Sequence, residues 1–145
     1  KTTSHLSLLA VNQMKKNNFG RIINVASLSV KEPLAHLVLS NSIRAAVVTW
    51  AKTLATEVAH NGITVNNILT GIFNTERIKE LNQFQAGTNG ISEEDNLNNL
   101  TANIPVGRLG KPEEFGYLVA FLASEFSSYI TGSNIPIDGG LIKSL

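Results

Sequence analysis

Apolar positions in this chain fall into two alternating patterns, one repeating every three to four residues and one of short, nearly continuous runs. Over residues 2–16, Leu6, Leu9, Ala10 and Met14 lie at helical spacing, and Asn-Asn-Phe-Gly then stops the helix at Gly20. RIINVAS, Arg21 to Ser27, is a short Ile/Val run that suits a strand buried on both faces. A long helical pattern returns over 37–60, with Ala45, Val48, Ala51, Thr53, Leu54 and Val58 on one broad, mostly apolar face, and His-Asn-Gly ends it. ITVNNIL, 63–69, is a second buried-strand candidate. Residues 82–103 are rich in Asn, Gln, Gly and Ser and are read as a surface excursion able to act as a flexible lid beside a pocket. A third helix is well marked at its start. Pro112 suits its first turn, Glu113 and Glu114 favour its positive end, and FGYLVAFLAS continues it. SNIPIDGG closes as a short strand entering a glycine turn.

Helix, strand, helix, strand, helix, strand in that order implies right-handed crossovers and a parallel sheet. The fold class is therefore α/β, of the doubly wound, Rossmann-like kind, with flanking helices. With 145 residues, 43% hydrophobic and 16% charged, the chain is a single domain or part of one. A net charge of +1 with no Lys/Arg run gives no electrostatic footprint for nucleic acid or an acidic membrane surface. The absence of cysteine excludes disulfides, thiolate metal sites and a cysteine nucleophile. His5, His36 and His60 are scattered without metal-ligand spacing, so no metal is expected. Arg44 and Lys52 interrupt the longest apolar stretch, and the early LSLLAV run leads into Asn12, Gln13, Lys15 and Lys16 with no small-residue cleavage site. A cytoplasmic protein without a membrane partner is the expectation.

GRIINVAS, the helix at 37–60, NGITVNNILTGIFNT and IPVGRLGKPEEFGYLVAFLASEFSSYITGSNIPIDGG together resemble the second half of a short-chain dehydrogenase/reductase of the 3-oxoacyl-carrier-protein reductase type. The last block is the most specific, because GRLGKPEE, FLAS, YITG and DGG occur in that order. The resemblance implies the C-terminal half of a Rossmann-like domain and NAD(P)-dependent hydride transfer on a small-molecule carbonyl or alcohol. In that family a serine at a strand end polarises the carbonyl, a tyrosine exchanges the hydroxyl proton, and a lysine four residues later lowers the tyrosine's pKa and holds the nicotinamide ribose. Ser27 stands at the serine position, Ser40 at the tyrosine position and Arg44 at the lysine position. An alkyl hydroxyl does not replace a phenol, whose reference pKa is about 10, and a nearby cation does not bring serine into that range. Arg44 keeps a positive charge near the ribose but has no proton to give. It is a ribose or phosphate contact, or else a surface ion pair. Ser40 is read as a helix-start residue rather than a catalyst. His36 is either a substitute proton donor or a solvated loop histidine, imidazole being the side chain that exchanges protons near neutrality. Tyr117 and Tyr129 fall where the family uses side chains for packing.

On the cofactor side, the family has a Pro-Gly turn after the second strand and a threonine a few residues on, meeting the carboxamide and pyrophosphate. Here Thr70 replaces the proline, while Gly71, Ile72 and Thr75 remain, so these three are the candidate cofactor-binding residues. A tight strand-to-helix turn explains Gly71 equally well. Asn66 reads as a structural residue at a strand end, and Gly139 and Gly140 as a turn beside the site. The family's glycine-rich first turn, its NAD/NADP-selecting residue and its catalytic asparagine belong to the first half, which these residues do not contain. RIINVAS is then expected to have an unpaired edge, as in a piece of a longer chain. Two readings stand: an oxidoreductase with an atypical acid and ribose residue, and a non-catalytic relative acting in nucleotide binding or in assembly. By the same resemblance the chain would be a homo-oligomer, dimer or tetramer, through its first helix and the helix at 37–60 or through its last helix and strand.

Overall fold

The computed structural model describes residues 2–144. The chain runs α1 (Thr2–Asn17), β1 (Gly20–Val25), α2 (Val38–Val58), β2 (Ile63–Thr70), α3 (Glu76–Asn89), α4 (Glu93–Thr101), α5 (Pro112–Ala123) and β3 (Asn134–Ile137), with short 3-10 turns at Leu28–Val30, Ala59–Asn61 and Glu125–Ser127. The strands form one parallel sheet in the order β1-β2-β3, so the α/β class and the parallel arrangement read from the sequence are what the structure has. No helix among the described residues is long and apolar enough to cross a membrane.

The residue that turns the chain out of α1 is Asn18, two positions before the glycine expected to do so. It takes a left-handed φ of 47°, which Asn tolerates better than most side chains. Its N–H and that of Phe19 donate to Lys15 O and Met14 O, and Gly20 already belongs to β1. β1 is not buried on both faces. Ile22 and Asn24 are buried, Arg21 and Ile23 are half-buried, and Val25 is exposed. The reason is position: β1 is the outer strand on that side and has no second neighbour among the described residues. β2, central in the sheet, is buried from Ile63 to Leu69.

Alternation along the strands sorts the core. Ile22, Ile63 and Val65 pack with Val11 of α1 and with Ala51, Leu54, Ala55 and Val58 of α2. Ala26, Leu28 and Leu69 form a second apolar group at the carboxyl ends of the strands, covered by Val48, Leu141 and Ile142. Between the two groups runs a polar row. Asn24 Nδ2 donates to Asn67 Oδ1 at 3.0 Å, and Asn67 Nδ2 donates to Asn134 Oδ1 at 2.8 Å. The three asparagines are register partners, so slipping either strand by one residue would bury an amide with nothing to bond. Asn66 points to the other side and is in mid-strand rather than at its end. Its amide donates to Ile130 O at 2.7 Å and accepts from Ser133 N at 3.1 Å, tying the approach to β3.

The segment 82–103 is not irregular. It is most of a helix pair, α3 and α4. Ser92 caps α4, its hydroxyl accepting from Asp95 N at 3.0 Å and donating to Asp95 Oδ2 at 2.6 Å, with Glu93, Glu94 and Asp95 in the first turn. The asparagines that made the stretch look like a loop hold the pair together. Asn96 Nδ2 donates to Asn82 Oδ1 at 2.8 Å, and Asn82 Nδ2 donates to Glu93 O at 2.9 Å. α5 begins as expected, with Pro112 in its first turn and the Glu114 carboxylate accepting from Lys111 N at 2.7 Å. Arg108 grips the same carboxylate at 2.9 and 2.7 Å, and together these hold the Glu114 carboxyl down to a pKa of about 2.

Candidate active site

The carboxyl ends of β1 and β2 bring most of the sequence-predicted residues close together. The backbone ladder between the strands reaches its end at Ala26, whose N–H donates to Ile68 O at 2.8 Å. The Ala26 carbonyl is taken by side chains: the Thr70 hydroxyl donates to it at 3.2 Å and Arg44 Nη1 donates at 3.0 Å. Arg44 is therefore not a surface ion pair. Its Nε donates to Ser40 Oγ at 3.3 Å, so the guanidinium is held at two points, and among the described residues no acceptor is found for Nη2. Ser40 does not start the helix either. It is the third residue of α2, and Leu37 at the cap position makes no side-chain bond. The spacing of four places Ser40 and Arg44 one turn apart on the same face, which is why the pair meets.

Arg44 and Ser40 line a cavity of about 420 Å³ with Asn24, Val25 and Ala26. Gly71, Ile72 and Thr75 line a second cavity of about 380 Å³ with Thr70, Phe73 and Phe115. Thr70 lines the second and hydrogen-bonds the carbonyl that anchors Arg44 in the first. Phe73 and Phe115 form the apolar wall of the second, edge to face at 5.7 Å.

Ser27 follows directly on Ala26. Its oxygen accepts from Ser29 N at 3.1 Å and caps the 3-10 turn Leu28–Val30, which leaves its hydroxyl proton available to an acceptor. His36 sits exposed on a turn in a left-handed conformation, φ 63°, and is not among the residues lining the Arg44 cavity. Gly71 has a packing reason independent of any ligand, since a Cβ there would stand 2.6 Å from Asp138 Cα. Thr75 is the cap residue of α3 and makes no side-chain capping bond, so its hydroxyl is uncommitted at the helix's positive end. Tyr117 and Tyr129 are exposed rather than packed within the chain. Gly139 and Gly140, both at positive φ, make the expected turn.

Two residues that the sequence reading passed over shape this site. Asp138 folds the turn by accepting from Gly140 N and Ile142 N, each at 2.9 Å. Glu32 accepts from Lys143 N and Ser144 N, each at 2.7 Å, which lowers its carboxyl pKa and ties the segment after Ser27 to the stretch that follows the glycine turn after β3. An Asp-Gly-Gly signature points to the first of these, whereas no local pattern links Glu32 to residues more than a hundred positions away.

A family described as "Enoyl-(Acyl carrier protein) reductase" matches residues 2–142. The chain is 37% identical over 147 residues to an NADPH-dependent reductase, BacG, of Bacillus subtilis (strain 168), covering all of this chain and 57% of that protein. It is 36% identical over 140 residues to the 3-oxoacyl-(acyl-carrier-protein) reductase FabG of Haemophilus influenzae, covering 97% of this chain and 53% of the relative. It also superimposes on the NADPH-bound structure of a short-chain oxidoreductase of Pseudomonas aeruginosa PAO1 described as containing an atypical catalytic center. The TM-score is 0.74 at 35% identity, over 88% of this chain and 48% of that one. The chain spans about half the length of the curated relatives it matches.

Proposed function

The chain belongs to the short-chain dehydrogenase/reductase family, and on that premise we propose that it is the C-terminal part of an NADPH-dependent carbonyl reductase domain. The observation that carries this reading is the Arg44 guanidinium, held by Ala26 O and Ser40 Oγ at a cavity wall with Nη2 uncommitted. A planar cation fixed at two points offers its remaining N–H groups to a ribose hydroxyl or a carbonyl oxygen without losing further rotamer freedom. The residues at the strand ends fit a nicotinamide dinucleotide in three respects. Arg44 would meet the ribose, backbone at Gly71 and Ile72 would border the carboxamide, and Thr75 with the start of α3 would face a phosphate. Bound there, the dinucleotide supplies the hydride that reduces the carbonyl carbon.

What the chain's own groups add is polarisation of the carbonyl oxygen. The spare Arg44 donors at the cavity wall, and the free proton of Ser27, which follows wall residue Ala26 without lining the cavity itself, would stabilise negative charge developing there. Ser40 stands at the phenol position and serves as a relay, giving its proton to the oxygen as it takes one from a solvent water that leaves as hydroxide, because its own acidity is too weak for it to be the proton source. His36, exposed and outside the cavity wall, is the less favoured donor. The natural substrate is a small carbonyl compound or, in reverse, an alcohol. Fluorescence titration with NADPH and NADH, followed by carbonyl turnover in the protein that carries this chain, tests the proposal. Saturable NADPH binding weakened about tenfold or more by Arg44→Met is expected, and binding indifferent to Arg44 overturns it.

The second reading, a non-catalytic relative that assembles into a homo-oligomer, rests on exposed apolar side chains. Leu6 and Leu9 on α1 and Val38, Leu39 and Ile43 on α2 face water, as do Tyr117 and Phe121 on α5. Side chains of this kind on helix faces are what an isologous interface buries. Sedimentation of the Leu9→Lys/Val38→Lys variant separates assembly from chemistry.

A further inference from the structure

We propose that Thr70 is a positioning residue for Arg44, acting through the Ala26 carbonyl. Thr70 and Arg44 come from different elements, β2 and α2, and both are departures from the pattern that the sequence resembles, yet their side chains donate to the same oxygen, at 3.2 and 3.0 Å. A carbonyl oxygen has two lone-pair directions. At Ala26 both are filled by side-chain donors, one from the sheet and one from the helix. The last rung of the ladder is one atom group away, Ala26 N to Ile68 O, so beyond it the only hydrogen bond among the described residues from β2 to the β1 backbone is that of the Thr70 hydroxyl. The hydroxyl therefore sets the direction of the C=O bond, and that direction sets where Nη1 is anchored. With Nε fixed on Ser40 Oγ, the plane of the guanidinium and the aim of Nη2 follow.

Thr70 also lines the cavity shared by Gly71, Ile72 and Thr75, so one side chain joins the wall of one cavity to the cation of the other. A proline or any other residue without a hydroxyl at position 70 would leave the Ala26 carbonyl to Arg44 alone. For the ligand that Arg44 meets, this inference rests on the proposed function above. The coupling itself does not.

The test reads Arg44 directly. In 15N-edited spectra of the unmodified protein that carries this chain, the Arg44 Nε–Hε and Nη signals, assigned by their loss in Arg44→Lys, are expected to be those of a guanidinium with restricted rotation. Those of free arginine in the same buffer serve as the free reference, since Arg77, although exposed, pairs with Glu80 at 3.6 Å. In Thr70→Val the Arg44 signals move toward the free reference, and in Thr70→Ser they return. Thr70→Ala supplies the same comparison if the valine variant does not fold. NADPH affinity is expected to fall about two- to tenfold in Thr70→Val, the range one hydrogen bond to a fixed partner commands, and to recover in Thr70→Ser. Arg44 signals unchanged by the loss of the hydroxyl overturn the positioning role, whatever NADPH does. Signals that respond to Thr70 in a protein whose NADPH affinity ignores Arg44→Met support the coupling and overturn the proposed function instead.

Discussion

At the end of β1 the side chains that matter are polar and committed: Ser27 caps a turn, Ser40 accepts from Arg44, and Arg44 is tied to Ala26. At the end of β2, a few ångströms across the same sheet, the backbone does more of the work. Gly71 is packed against Asp138, and Phe73 and Phe115 close the wall with their ring edges. The first region departs from the family's catalytic residues and still holds together as a hydrogen-bonded unit. The second keeps Gly71, Ile72 and Thr75 while Thr70 departs, and packing alone explains one of the three it keeps. A changed residue is thus not a vacant site, and a retained one is not by itself a ligand contact. What decides is whether donors remain unspent once the fold has been satisfied, and Arg44 Nη2, the Ser27 and Ser40 hydroxyl protons and the Thr75 hydroxyl are among the groups that remain.

The change that cuts deepest should fall between the two regions. Asn67→Leu removes the middle of the asparagine row and leaves the Asn24 amide buried without its acceptor and Asn134 without its donor. A loss of about 3 kcal/mol is expected in urea unfolding, whereas an ordinary surface substitution stays within about 0.5 kcal/mol. Gly71→Val ranks next. Its side chain meets Asp138 backbone rather than a flexible tip, so overpacking of about 2 kcal/mol should appear as a lower Tm even with no cofactor present. If Tm is unchanged while NADPH affinity falls, Gly71 belongs to the ligand and the contrast between the regions fails there. His36→Ala should leave both Tm and carbonyl turnover unchanged, and a rate loss on the order of a hundredfold would restore His36 as proton donor.

Much of this was legible beforehand. Helices and strands announced themselves by spacing, and the order of elements led to the parallel sheet. Ser27, Ser40 and Arg44 were located by their spacing within the resemblance. What escaped had a physical cause in each instance. α3 and α4 were hidden because asparagine is a weak helix former in a local reading, although here Asn82 and Asn96 bond each other across the pair, and the Ser92-to-Asp95 cap was an overlooked local signal for α4. β1 looked doubly buried because an Ile/Val run says nothing of how many neighbours a strand has. The joint anchoring of Arg44 and Thr70 on Ala26 lies outside any sequence pattern, since it depends on the distance between two elements.

A slight effect is expected beside the second region, at the Arg108–Glu114 pair, which lines a neighbouring cavity with Ile72 and Phe73. The Glu114 carboxyl is held at a pKa of about 2, below its unfolded value, so its contribution to stability is present at neutral pH. That contribution is lost as pH falls from about 4.5 toward 2. The pair is exposed, so the effect on Tm should be slight. Glu114→Gln should flatten the acid limb of the Tm profile without altering NADPH binding. A shift in NADPH affinity would join this corner to the site.

The measurement that tests the account most directly is an NADPH fluorescence titration of the protein that carries this chain, unmodified and as Arg44→Met. Saturable binding weakened about tenfold or more in the variant, with Tm preserved, is the predicted result, since a charge-assisted contact is worth about 1.5 kcal/mol or more. Equal affinity in the two proteins, or no saturable binding in the unmodified one, would contradict the claim that the doubly held Arg44 is the cofactor-facing group of this site.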